Sequence, residues 1–288
     1  MAFCAGRKMP AQKAVLYREK ASRVCQSAKG ILMDILVERK EGILTVEFNR
    51  LEKKNSITAA MYQTMADALK DGEEDSETRV ILICGKPEIF TAGNDLEDFM
   101  NASFGTDLSD RPVAQFMRQL SSASKPVVAA VAGAAIGIGT TLLLHCDMVY
   151  AADNARFSMP FAQLGLCPEF ASSMLLQQIV GFPRAAEKLL IGEFFSAPEA
   201  YEMGLINKVL PVSELLPYAY AQAAKLTRLP ASSLRTTKYL MKNAQADRVK
   251  EKMMEENRYF SAMLISKEAK EAFGAFFEKR KPDFTKFK

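Results

Sequence analysis

Pro126-Val127-Val128-Ala129-Ala130-Val131-Ala132-Gly133-Ala134-Ala135-Ile136-Gly137-Ile138-Gly139-Thr140-Thr141-Leu142-Leu143-Leu144-His145-Cys146 is the stretch whose reading sets the fold. It carries no formally charged side chain, and about 20 apolar residues suffice to cross a bilayer. Its content points elsewhere. Gly133, Gly137 and Gly139 interrupt it, Thr140 and Thr141 follow, and Val127 to Val131 is short, Val-containing and bounded by Pro and Gly. This pattern predicts a buried strand, a glycine turn and a helix that starts near Gly139 and runs through Leu144, and no membrane span.

Outward from this stretch, strands and helices alternate. Ile35 to Glu38 and Ile43 to Phe48 read as two strands joined by the Lys40-Glu41-Gly42 turn. A helix follows from an N-cap at Thr58 through Met61, Met65, Ala68 and Leu69, the two methionines reading as core. Val80 to Cys84 is fully apolar, as a strand buried on both faces must be. A helix over Val113 to Ser122 and a strand over Met148 to Ala151 complete this part. From about Pro198 the strand signals fade, and Ala200 to Met203, Leu215 to Leu226, Ser232 to Lys242 and Lys250 to Phe277 have helical spacing. The class is α/β with a helical C-terminal part.

Composition narrows the function. A chain of 288 residues, 49% hydrophobic and 25% charged, with 15 Gly and 12 Pro, excludes collagen-like and disordered classes. Cys4, Cys25, Cys84, Cys146 and Cys167 are scattered, form no CxxC pair and accompany a single histidine. Neither a disulfide framework nor a zinc site is expected, and the compartment reads as reducing. The net charge of +4 is concentrated at one end: residues 1 to 30 hold seven bases against Glu19, leaving 31 bases and 33 acids elsewhere. Residues 1–30 read as a transit-type presequence, a nucleic-acid arm or, the favoured expectation, a poorly ordered basic extension, and they lack the apolar core of a secretory signal. The nearly neutral remainder gives no reason to expect a nucleic-acid partner.

Chemistry concentrates at two turns. Phe90-Thr91-Ala92-Gly93-Asn94-Asp95-Leu96 and Ala132 to Gly139 each run from a buried strand through small residues into a helix. Such turns leave backbone N–H groups pointing outward at a helix N-terminus, and two of them face to face would form an oxyanion hole. No Gly-Lys-Ser/Thr follows, so a phosphate loop is excluded, and Gly133, Gly137 and Gly139 have the wrong spacing for a dinucleotide fingerprint.

Five ordered motifs resemble the enoyl-CoA hydratase/isomerase (crotonase) superfamily: Asn49 to Ile57, Phe90 to Leu96, Lys125 to Val131 with its glycine turn, Cys146-Asp147, and Ala200 to Ile206. The resemblance runs from about Ile35 to Phe284. It implies a crotonase-like spiral of ββα units over residues 31–225, and a helical region over 226–288 that completes a homotrimer or a dimer of trimers. It also implies an acyl-CoA thioester as substrate, coenzyme A entering with it and no separate cofactor. By position, the hole-forming amides would be those of Asn94 and Ile138. The substrate would lie along Lys53, Lys54, Ser56, Ala92, Gly93, Asp95, Leu96, Phe161 and Phe170, with Lys53 and Lys54 as partners for the phosphates.

Membership leaves the reaction open, because the superfamily keeps the thioester-binding hole and varies its acids and bases. Where hydratases carry glutamates, this chain has Thr141 and Phe161. What it offers is Leu164-Gly165-Leu166-Cys167-Pro168-Glu169-Phe170-Ala171-Ser172-Ser173, which resembles the Pro-Glu-Gly-Cys-Ser-Ser segment of peroxisomal-type Δ3,Δ2-enoyl-CoA isomerases, with Phe170-Ala171 in place of Gly-Cys. One carboxylate can move a proton from C2 to C4, whereas water addition needs a second activating group. Glu169 is therefore expected as the single acid/base, its pKa raised by apolar neighbours.

The competing readings are a hydratase with an unusual base, a dienoyl-CoA isomerase, which would need carboxylates at 141 and 161, and a catalytically silent acyl-CoA-binding or scaffold domain. His145 reads as a packed structural residue, Cys167 lacks a neighbouring His to activate it, and Asp95 and Asp147 read as helix-cap or turn residues. Phe161, Phe170, Phe276 and Phe277 are candidates for setting acyl-chain length. The C-terminal Lys286-Phe287-Lys288 is not the Ser-Lys-Leu peroxisomal address, which favours a bacterial-type cytoplasm, with mitochondria as the alternative.

Overall fold

β1 (Ile35–Lys40) and β2 (Ile43–Phe48) pair antiparallel across Glu41-Gly42, both at positive φ, as a two-residue hairpin turn of matching twist requires. From β2 the sheet continues in parallel through β3 (Val80–Cys84), β5 (Val127–Val131), β7 (Met148–Ala152) and β10 (Lys208–Leu210). A second, smaller sheet is built from β4 (Ile89–Thr91), β6 (Ala134–Ile136), β8 (Arg156–Ser158) and β9 (Phe195–Ser196), the first three parallel. This computed structural model describes residues 33–101 and 111–287, so the expectations for residues 1–30 lie outside the described residues.

The helices are α1 (Ala59–Glu74), α2 (Leu96–Asn101), α3 (Pro112–Ser121), α4 (Ile138–Thr141), α5 (Ser172–Val180), α6 (Phe182–Leu190), α7 (Ala197–Glu202), α8 (Val212–Thr227), α9 (Ala231–Leu264) and α10 (Lys267–Phe277). Each of β3, β5 and β7 hands the chain to a short strand of the second sheet and then to a helix. This is the spiral of ββα units, and from Asp34 onward the chain is one unit.

The main sheet divides its side chains by the two-residue period of a strand. Ile81, Ile83, Val127, Ala129, Val131 and Val149 join Met61, Met65, Leu69 and Phe116 on one face. Leu82, Cys84, Val128, Ala130 and Tyr150 join Leu215, Ala219, Ala223 and Leu226 of α8 on the other. Every residue of β3 and β5 is buried, which explains their unbroken apolar sequence.

Three expectations are corrected. The glycine stretch holds the extra strand β6 before its helix, and the helix expected to run through Leu144 is only α4, followed by a 3-10 turn over Leu142–His145. Three-residue strands are too short to display a period. The break expected between helices over 232–242 and 250–277 is absent: one 34-residue helix, α9, runs to Leu264, and the break comes there, before Ser266 caps α10 through Ala269 N–H at 3.0 Å. The Ala- and Gln-containing bridge between them offers no Gly or Pro to stop a helix. No helix among the described residues is long and apolar enough to cross a membrane.

Candidate active site

The loop of the first motif is stapled beneath the first glycine turn. Asn55, fully buried at positive φ, accepts from Arg50 N–H at 2.7 Å and donates to the carbonyls of Ile89 and Phe90, while Thr91 Oγ1 donates to Asn55 O at 2.6 Å. Arg50 then reaches Asp95: its Nη1 donates to Asp95 Oδ2 at 2.7 Å and to Ser56 Oγ at 3.0 Å. Asp95 also caps α2 through Asp98 N–H at 3.2 Å. Ser56 and Asp95, expected along the substrate, are thus bound to each other and to Arg50, which sequence reading passed over. The pair holds the Asp95 carboxyl below its ordinary range against the opposing effect of burial. Lys53 and Lys54 stand exposed on the same loop.

The two glycine turns interlock. β4 and β6 are neighbouring parallel strands, so both turns leave the same sheet edge side by side. A Cβ at Gly93, where φ is +87°, would lie 2.8 Å from Ile136 O, and one at Gly139 would lie 2.5 Å from Thr91 Cγ2. Only glycine permits this approach. Gly137, at φ 56° and ψ −118°, turns the chain so that Ile138 opens α4. Ala92 N–H is used by Lys54 O, and Gly93 N–H by Thr91 Oγ1. The Asn94 and Ile138 amides donate to no acceptor among the described residues. Leu96 packs partly buried against the core.

Asn94 is anchored by its side chain: Tyr62 of α1 donates its hydroxyl to Asn94 Oδ1 at 2.5 Å. The Tyr62 ring lies 5.6 Å from Phe116, whose ring lies 6.3 Å from Phe170. Burial, with the nearby Glu169 charge, holds the Tyr62 hydroxyl well above its ordinary pKa, so it stays a donor.

Glu169 is 7% exposed at the end of this aromatic chain. Thr141, one turn into α4 from the Ile138 amide, donates its hydroxyl to Glu169 Oε1 at 2.5 Å. Oε2 is buried and has no hydrogen-bond partner among the described residues. Burial pushes the Glu169 pKa up to about 8; the Thr141 hydrogen bond opposes this, and the charge of Glu256 adds to it. A carboxylate near pKa 8 with one oxygen fixed and the other open can take up and return a proton at neutral pH. That Thr141 supplies this hydrogen bond was invisible in the sequence, where it stood only as an absent glutamate.

The turn that carries Glu169 is strained. Phe170 and Ala171 take φ of 61° and 56°, a region costing L-residues about 1–2 kcal/mol each. Three contacts hold it: Ser172 Oγ to Glu169 O at 2.6 Å, His145 Nε2 to Phe170 O at 2.8 Å, and Ala171 N–H to Glu256 Oε2 at 2.6 Å. His145 also stacks on the Phe170 ring at 3.9 Å, and burial lowers its pKa to about 3, so it is a neutral packed residue. Burial raises the Cys167 thiol to about 11, which makes it a poor nucleophile. Phe161 is buried edge-on to Phe260 of α9 at 6.5 Å, whereas Phe276 and Phe277 stand exposed on α10. Asp147 accepts from Val127 N–H and from Lys238 Nζ, a structural role.

The described residues thus offer two amides without an acceptor, at Asn94 and Ile138, and a buried carboxylate, Glu169, in apolar surroundings. Comparison with known proteins places the chain in a family. Residues 38–287 match the family described as enoyl-CoA hydratase/isomerase. A probable enoyl-CoA hydratase of Mycobacterium leprae is 32% identical over 87% of this chain and 97% of its own length. The rat enoyl-CoA delta isomerase 2 is 36% identical over 89% of this chain and 65% of its own length. Among solved structures, an enoyl-CoA hydratase/isomerase from Pseudoalteromonas atlantica superposes with a TM-score of 0.83 at 38% identity, covering 88% of this chain and all of its own. The chain belongs to the enoyl-CoA hydratase/isomerase family and has the crotonase fold. Its relatives are named both as hydratases and as delta isomerases.

Proposed function

We propose that the protein moves the double bond of a 3-enoyl-CoA to the 2-position, with Glu169 as the only acid/base. The observation that carries this reading is that Glu169 has no second carboxylate at either hydratase position: Thr141 and Phe161 occupy the positions of the hydratase glutamates, and Thr141 uses its hydroxyl to hold Glu169 Oε1 while Oε2 stays open. The C2–H bond breaks as the Oε2–H bond forms, and its electron pair enters the thioester as an enolate. The amides of Asn94 and Ile138 serve as the oxyanion hole for the enolate oxygen. The proton returns from Glu169 to C4, the enolate collapses, and the double bond stands between C2 and C3. Atoms and charge balance with coenzyme A entering only as part of the substrate and no separate cofactor.

Lys53 and Lys54 meet the phosphates, Ser56 and Asp95 brace the loop beneath Ala92 and Gly93, and Phe161 and Phe170 bound the acyl chain. Tyr239, Leu240, Met241 and Tyr259, all exposed on α9, support assembly of a trimer or a dimer of trimers through the C-terminal helices. The test is a parallel assay of a 3-enoyl-CoA and crotonyl-CoA. Isomerisation is expected to exceed hydration by about 10² or more, since general-base assistance to water is missing. Equal rates would overturn the isomerase reading.

A further inference from the structure

Glu256 lies 85 residues beyond Ala171 of the Glu169 turn in sequence, in the C-terminal third of α9, yet it is 6% exposed and its carboxylate is spent on that turn. Oε2 accepts from Ala171 N–H at 2.6 Å, and Oε1 accepts from Ser173 N–H at 3.0 Å and from Ser173 Oγ at 2.5 Å. α5 has no capping side chain of its own at Ala171, so a remote carboxylate takes the place of the N-cap. The residue it holds, Ala171, is the second of the two left-handed residues that follow Glu169. Three donors converge on one carboxyl; burial pushes the Glu256 pKa up, and the hydrogen bonds from Ser173 and Ala171 oppose this by favouring the ionised form.

We infer that Glu256 is a positioning residue: by holding Ala171 and Ser173 it fixes the strained turn that aims Glu169, and through it α9 controls the base. This rests on the reading of Glu169 as the base. The ionisable groups around Glu169 among the described residues are Tyr62 of α1, His145 after α4, Cys167 of its own segment and Glu256 of α9. The first three are uncharged at neutral pH, so the charge of Glu256 is the one that acts on Glu169, raising its pKa. Lys252, on the same helix, faces Glu256 in turn.

The test measures pH profiles of kcat and KM with a 3-enoyl-CoA for the wild type, Glu256→Gln and Ser173→Ala, with melting temperatures alongside. The protonation of Glu169 is followed separately by its carboxyl band in difference infrared spectra, assigned with Glu169→Gln. Glu256→Gln is expected to lower the plateau kcat about tenfold to hundredfold with KM within about twofold, as slight misaim of a base does. Its Glu169 titration should move to lower pH in both readouts, because the neighbouring negative charge is gone. Ser173→Ala removes one donor and keeps the charge; it is expected to lower kcat by a smaller factor and leave the midpoint in place. Unchanged plateau and midpoint in Glu256→Gln, or a loss of rate matched by a loss of folded protein with the midpoint unmoved, would overturn the inference. If the wild type does not isomerise, the base reading fails, while the infrared midpoint still decides whether Glu256 acts on Glu169.

Discussion

The glycine turns and the Glu169 turn solve the same backbone problem by opposite means. Gly93 and Gly137 reach φ of 87° and 56° with no Cβ to obstruct them, and at Gly93 a Cβ would meet Ile136 O. Phe170 and Ala171 reach φ of 61° and 56° with side chains attached, one of them an aromatic ring packed between His145 and Phe116. The first conformation is written into the residues that adopt it. The second is imposed by hydrogen bonds from positions 25 and 85 residues away. The two glycine turns are thus locally encoded, and the turn of Glu169, the proposed base, is globally held.

The largest expected effect separates the two directly. Glu169→Gln keeps the volume and the turn but removes the proposed base, so isomerisation should fall by about 10³ while thioester binding persists. Turnover within about tenfold of wild type would show that the carboxylate is not the base. Next comes Gly93→Ala, which asks whether the glycine turn is as intolerant as its contacts imply. An alanine there must shift against a backbone carbonyl at 2.8 Å and accept a φ of +87°. The Asn94 amide moves with it, and losing one such donor costs about 10² in kcat. If kcat holds and only the melting temperature drops, that turn is scaffold and not part of the chemistry.

This contrast also explains what the sequence disclosed. Thr58 as an N-cap, the apolar run of β3 and the glycine turns were legible because each is a local signal of one period or one residue type. Glu169 was legible only through its family motif. Thr141 as its donor, Tyr62 as the anchor of Asn94, and Glu256 as a remote cap were not, since each acts on a partner 28 to 85 residues distant. The second sheet escaped because its three parallel strands have three residues apiece.

A third test turns the buried base into a stability measurement. The Glu169 pKa lies near 8 in the fold against an ordinary 4.5, so between these values the native state binds more protons than the unfolded chain. Stability therefore falls as pH rises across that window, with the penalty absent below about 4.5 and complete above about 8. Glutamine does not titrate. Glu169→Gln should melt close to the wild type in acid and progressively above it as pH rises, by up to a few kcal/mol, the gain levelling off past pH 8. A constant difference across the window would mean that Glu169 is solvated.

The smallest expected effect is the mirror image of Gly93→Ala. Ala171→Gly removes a left-handed strain of about 1–2 kcal/mol. Against this stand the greater freedom of glycine in the unfolded chain, about 0.4–1 kcal/mol, and about 0.8 kcal/mol for one buried methyl. The terms nearly cancel, so stability should change by less than about 1 kcal/mol in either direction. The Ala171 N–H that reaches Glu256 belongs to the backbone and survives the substitution, so turnover should stay within about threefold of wild type. A glycine at 171 that damages activity as much as an alanine at 93 would mean that the contacts from His145 and Glu256 do not suffice to hold the turn. The left-handed conformation would then depend on the side chain that bears its strain, and the distinction between a locally encoded and a globally held turn would fail.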